Sequence, residues 1–198
     1  MSEQKKYEFT GEIKTIFGIE FKQIRAIVNF GYVVAGEIGG WIENEENLNQ
    51  SGNAWVSGNA RVSGNAMVSG NAMVSGNARV SGNAEVYGNA EVSGNARVSG
   101  NAEVSGNARV SGNARVSGNA EVKKDDDYMV IGGAGRYNRF TTFFKCRDKT
   151  IKVVCGCFFG TIIEFRAKVK ETHKGNKHEK VYLAMADMVE LQLDNDDK

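Results

Sequence analysis

Two groups of side chains in the last third of this chain have the chemistry to bind or react. Cys155-Gly156-Cys157, with His173 further on, offers two thiols and an imidazole. That set could hold zinc, or give a thiolate and its base. A Cys-x-Cys pair on a strand sends both side chains to one face, which suits two tetrahedral positions poorly. A fourth ligand would have to come from Cys146 or His178, and the competing reading is of strand cysteines as small apolar fillers. The second group is Gly132-Gly133-Ala134-Gly135, followed by Arg136, Asn138, Arg139 and Thr141. Glycines and arginines can cradle an anion. A strand follows rather than a helix, so the phosphate-binding fingerprints lack their context, and a hairpin turn is the competing reading. If this region takes a small anionic ligand, Arg136, Asn138, Arg139, Thr141 and His173 are the residues to hold it. No catalytic residue is assigned and no cofactor is expected.

The elements that would position these groups form a small α+β domain over residues 123–198. It opens after the charge run Lys123-Lys124-Asp125-Asp126-Asp127. Tyr128 to Ile131 reads as a strand and Gly132 to Gly135 as a turn. Asn138 to Cys146 and Thr150 to Cys155 read as strands split by Arg147-Asp148-Lys149. Thr161-Ile162-Ile163-Glu164 is a capping box that opens a helix, and Gly175 ends it. Residues 177–187 read as helical, and the alternation of Val189, Leu191 and Leu193 predicts a final strand. The lysines at 168, 170, 174, 177 and 180 are interrupted by Glu171 and Glu179, which reads as a solvated face.

From Ser51 to Val122 one hexapeptide, Ser-Gly-Asn-Ala-x-Val, repeats twelve times without a gap, with Tyr87 replacing one serine. A fixed period of this kind means a solenoid, because each unit buries its apolar side only against its neighbours. Ala and Val lie two apart, so in a strand both point inward and x points outward. Ser-Gly-Asn makes the corner, with residues that accept positive φ. The repeat contains no histidine and no inserted loop that would build a pocket.

Val-Ser-Gly-Asn-Ala-x over these residues resembles the hexapeptide-repeat family, the left-handed parallel β-helices found in many bacterial acyltransferases. The resemblance implies a mainly β fold, three hexapeptides per coil and so about four coils. It also implies a left-handed superhelix, against the usual right-handed crossover rule. Those enzymes use a histidine on the solenoid as general base, with coenzyme A held between subunits. Here His173 and His178 both lie beyond the repeat. The expectation is therefore a non-catalytic scaffold or binding protein, with an acyltransferase-like enzyme as the alternative.

Folded three to a coil, the x residues form columns. One reads Trp55, Met73, Glu91, Arg109; a second reads Arg61, Arg79, Arg97, Arg115; a third reads Met67, Glu85, Glu103, Glu121. Stacked like charges repel by about 1 kcal/mol per pair in water, so a bare solvated ladder is tolerable. The sharper expectation is a homotrimer in which the arginine face of each copy docks on Glu85, Glu103 and Glu121 of the next, in line with trimers common in the family. A rival is an acidic partner or phosphate backbone along the arginines. With Lys and Arg at 25 and Asp and Glu at 24, a net charge of +1 makes nucleic acid an unlikely partner.

Trp55, Met67 and Met73 are apolar at outward positions, which predicts that residues 1–50, a small β cap with strands at Tyr7 to Thr10 and Ile19 to Val28 broken at Gly11 and Gly18, fold over all three. Proline is absent, so both solenoid ends need another form of protection. No apolar run nears membrane-spanning length, and three cysteines read as thiols in a cytoplasmic protein. Arg136 to Phe144, Cys155 to Phe158, Gly160 to Phe165 and Thr172-His173, with Gly39-Gly40-Trp41-Ile42-Glu43 and Glu46-Asn47-Leu48 before the repeat, resemble hexapeptide-repeat proteins of bacteria and their phages. That likeness implies a module that binds a host protein or small ligand, with no established activity to carry across.

Overall fold

The computed structural model describes residues 5–135 and 139–193. The Ser-Gly-Asn-Ala-x-Val units form twelve two-residue strands, β4 (Trp55–Val56) to β15 (Glu121–Val122), stacked in three parallel columns. Every repeat alanine and valine from Ala54 to Val122 is buried, as the two-residue period requires. The backbone ladder is continuous: Arg61 N donates to Ala78 C=O at 2.9 Å, and Ser63 N to Val80 C=O at 3.0 Å. At each corner Gly takes a positive φ as the second residue of a Ser-Gly-Asn-Ala turn, the place where a type II′ turn requires it. The glycines also stack closely. A Cβ on Gly100 would lie 2.8 Å from Gly118 N, so no side chain fits between coils there. Asparagine amides tie the corners from coil to coil: Asn53 donates to Asn71, Asn71 to Asn89 and Asn89 to Asn107, at 3.0 to 3.1 Å.

The solenoid has a fifth level that the repeat does not announce. Strand β3 (Ile38–Ile42) pairs in parallel with the start of the arginine column, Trp41 against Arg61, and Leu48 bridges Val68. The hairpin of β1 (Tyr7–Ile16) and β2 (Ile19–Ala26) extends the same sheet antiparallel from β3. Gly11, read as a strand end, is instead a bulge at φ 94° inside β1. The cap covers only part of the apolar set. Trp55 is fully buried beneath Tyr7 and Phe30, with ring centroids 6.4 and 5.5 Å away. Met73 is half-buried, but Met67 stays 39% exposed. The close approach of cap to coil depends on Gly39 and Gly40: a Cβ on Gly40 would meet Val56 Cγ1 at 2.8 Å and Ala60 C=O at 2.9 Å. Lys6, almost wholly buried, donates to the Ala54 carbonyl at 2.8 Å, and burial lowers its pKa to about 8.

The same corner device opens and closes the coil. Asn47 accepts from Glu43 N and Asn44 N at 3.1 and 3.0 Å, and Asp127 accepts from Lys123 N and Lys124 N at 2.8 and 3.0 Å. Each ends a short 3-10 turn.

The C-terminal unit is a four-stranded antiparallel sheet, β16 (Tyr128–Ala134), β17 (Arg139–Lys145), β18 (Ile151–Cys155) and β19 (Phe158–Thr161), covered by α1 (Ile162–His173) and α2 (Lys177–Leu193). Alternation along β17 glues it to the coil. Phe144 and Cys146 join the solenoid core, while Phe143 belongs to the core beneath the helices. Thr161 caps α1: its Oγ1 accepts from Glu164 N at 3.2 Å, and Glu164 accepts from Thr161 N at 2.7 Å. Two expectations fail here. The Gly132 to Gly135 turn begins late, because β16 runs to Ala134 through a bulge with Gly133 at φ 77°. The final strand of Val189, Leu191 and Leu193 is the end of α2. Tyr182, Ala186, Val189 and Leu193 are buried at helical spacing, and Leu191 is 80% exposed. No helix of the described residues is long and apolar enough to cross a membrane.

Candidate functional site

A cleft of about 510 Å³ opens between the sheet and the two helices of the C-terminal unit. Its floor is apolar and aromatic, from Phe158, Phe165 and Tyr182; its rim carries Arg139, Lys168, His173 and His178. No Asp or Glu lines it among the described residues. Packing of the rings fixes the floor: Phe165 meets Phe143, Phe158 and Tyr182 at 5.7, 5.5 and 5.8 Å. His173, at the last turn of α1, stacks on Tyr182 at 5.4 Å with 29° between planes, and His178 lies 5.8 Å from it. Such a cleft matches the size and polarity of small-molecule sites, largely apolar with a few convergent polar groups. Burial, then the neighbouring Cys155, raises the Tyr182 phenol to about 12, so it stays protonated at neutral pH.

The candidates named from sequence divide as follows. Arg139, Cys155 and His173 all line the cleft. Thr141 is fully buried behind it, its hydroxyl donating to Cys155 Sγ at 3.1 Å. Arg136 and Asn138 lie outside the described residues. Cys155 and Cys157 part company. Gly156 takes φ 61° in a two-residue turn between β18 and β19, so Cys157 sits exposed and lines a different recess. Among the described residues no group of three His, Cys, Asp or Glu is placed to hold a metal ion, so the zinc set of Cys155, Cys157 and His173 is not assembled. Sequence reasoning missed Tyr182, read Lys168 as part of a solvated face, and offered His178 only as a fourth metal ligand. The spacing Phe165, Lys168, Val169, Thr172, His173 on α1 carried the signal, since all five share one helix stripe.

The arginine column is in register, Arg61 to Arg79 to Arg97 to Arg115. Lys14 over the Trp41 ring at 3.6 Å prolongs its charge toward the cap. None of the four arginines forms an ion pair among the described residues. Arg61 packs on Phe21 at 5.8 Å, and burial, then Arg61, lowers the Arg79 pKa. The tip of the β1–β2 hairpin overhangs these two, and Phe17 there is 96% exposed at φ 52°.

The glutamate column is not equally free. Glu121 pairs with Lys123 at 2.9 Å. Glu103 pairs with Arg147 of the C-terminal unit at 3.0 Å and accepts from the Tyr87 hydroxyl. Burial pushes the Glu103 carboxyl up, but Tyr87 and Arg147 outweigh it and hold it below its usual range. A depressed carboxyl gives stability that is present above the usual glutamate range and is lost as pH falls below it. We expect the denaturation midpoint to drop between about pH 5 and pH 3, and Glu103→Gln to flatten that acid limb. An unchanged limb in the variant would show that the pair contributes nothing.

These features define a capped parallel β-solenoid carrying an α+β module. The family described as the YdcK beta solenoid repeat matches the chain at residues 54–70, 60–76, 66–82, 72–88, 90–106, 102–118 and 108–122. The match lies within the repeat, so the solenoid is what this chain shares with that family. A search of curated proteins finds no match.

Proposed function

We propose that this chain is a non-catalytic binding protein: a rigid solenoid that self-associates and presents a C-terminal cleft for a small anion bearing a flat ring. The cleft carries this reading, through one observation: an aromatic floor beneath a rim of Arg139, His173, His178 and Lys168, the last paired with Glu171 outside the lining at 2.8 Å. A planar ring would stack on the Tyr182–His173 surface, and its charge would face Lys168 and Arg139. The three cysteines, all free thiols, support a reducing cytoplasmic setting.

The test is calorimetric titration of the full chain with nucleoside monophosphates and aromatic carboxylates. Binding in the micromolar range is expected for at least one ring-bearing anion. Lys168→Glu should weaken it about tenfold or more, by turning a charge attraction into repulsion. His173→Ala should also weaken it, by removing the stack. No binding by any member at millimolar concentration, with the chain folded, contradicts the reading.

Self-association uses the charged columns. In a side-by-side threefold ring at equal height, Arg79 of one copy meets the level of Glu85 of the next. Glu85 has no ion pair among the described residues, unlike Glu103 and Glu121. The Arg79–Glu85 level therefore centres the contact, and the exposed Phe17 tip adds apolar area.

A further inference from the structure

The lower end of the arginine column runs into the C-terminal unit, and there it makes a second recess. This groove, about 390 Å³, is lined by Asn95, Arg97, Asn113, Arg115, Arg139 and Phe140, with the Gly156–Cys157 turn. Arg97 and Arg115 of the coil line it together with Arg139 of the C-terminal unit. In the threefold arrangement Arg97 and Arg115 face the levels of Glu103 and Glu121, whose charges are already met within their own chain. Exposed to solvent, the two arginines are available to an anion in the groove.

The groove is held before anything enters it. Arg115 N donates to Thr142 Oγ1 at 3.0 Å, which fixes the coil against β17. Arg139 lies over Gly156, where a Cβ would come within 2.4 Å of its Nη1. Phe140 lies over Gly132 in the same way, with a Cβ there 2.7 Å from its ring. The two glycines thus leave room for the two side chains that wall the groove. Asn95 donates to Asn113 at 3.4 Å, and Asn113 ends that amide ladder. Several donors lining one concave site favour a compact multivalent anion over single ions. Arg97 and Arg115 stand one strand spacing apart, about 4.8 Å; a single phosphate can bridge that pair, but linked phosphates bring more charge and more acceptor oxygens to the same donors.

We infer that this groove is a binding site for a phosphoanhydride, which shares Arg139 with the ring-binding cleft but not Lys168, His173 or Tyr182. It is tested on the full chain by calorimetry with inorganic pyrophosphate, ADP and inorganic phosphate. Pyrophosphate or ADP should bind at least tenfold more tightly than phosphate. Arg97→Glu and Arg115→Glu should each weaken this about a hundredfold, with the milder Arg115→Gln in between and circular dichroism unchanged. Lys168→Glu, in the other cleft, should leave it within twofold. Pyrophosphate binding as tightly as ADP assigns the site to the anhydride alone; tighter ADP binding that Arg115→Glu still abolishes assigns it to a nucleotide diphosphate. The inference is overturned if neither anhydride binds better than phosphate, or if binding survives Arg115→Glu and is lost in Lys168→Glu. The monophosphate titration above is unaffected by Arg115→Glu, so the two sites fail separately.

Discussion

Phe144→Ala will uncouple the C-terminal unit from the solenoid and lower stability by about 3–5 kcal/mol. Phe144 is fully buried in β17, and its ring joins the solenoid core, which within the repeat consists of stacked alanines and valines. Those interior side chains are small, so the open end of a coil offers a hollow that one large ring fills. The antiparallel bridge of Ala120 with Cys146 and the hydrogen bond from Arg147 N to Asn119 C=O seal its rim. Removing the ring leaves a cavity that rigid coils cannot collapse into. Chemical denaturation should show the lost stability, and limited proteolysis should cut near Lys123 to Asp127 while the repeat stays protected. The neighbour supplies a control. Phe143 packs on Phe165, so Phe143→Ala should loosen the helices and the cleft without freeing the module. Equal proteolysis patterns in the two variants would contradict the alternation argued for β17.

The second large effect concerns assembly. If the chain forms the proposed threefold ring, Arg79→Glu will convert it to single chains, because it sets carboxylates opposite Glu85 at each of three contacts. A desolvated charge pair broken at an interface costs about 2–5 kcal/mol, and a ring repeats that cost. Fold should be unaffected, since position 79 is the outward residue of its repeat and the backbone ladder does not use its side chain. Sedimentation of the variant should give one 21.5 kDa chain. Combining it with Glu85→Arg should restore the assembly. A wild type that is already monomeric at micromolar concentration would contradict the ring.

Much of this was legible in the sequence because the repeat states its own geometry. Ala and Val two apart fix the inward face, and the fixed spacing fixes the columns, so the arginine row could be written down before any coordinate. What the sequence concealed were places where one residue type serves two geometries. Gly11 and Gly133 look like breaks, yet both are bulges within strands. Val189, Leu191 and Leu193 fit a period of two, but Leu191 is exposed and the helix continues. Strand β3 lacks the repeat signature, so the fifth level emerged only from its pairing with Arg61. The cleft was half visible. Arg139 and His173 were named together for an anion and Cys155 with His173 for a metal or thiol, and Lys168 shares the α1 stripe of His173, but Tyr182 enters through the packing of α1 against α2, a contact that no local pattern encodes.

The proposed occupant of the cleft beside Tyr182 and His173 is a small ring-bearing anion. Native mass spectrometry of the protein, gently desalted from cells and then again after addition of nucleoside monophosphates, tests it most directly. A small-molecule mass is expected on each chain, released on activation and weakened by Lys168→Glu. The bare polypeptide mass in both samples, with no uptake at millimolar ligand, would contradict it.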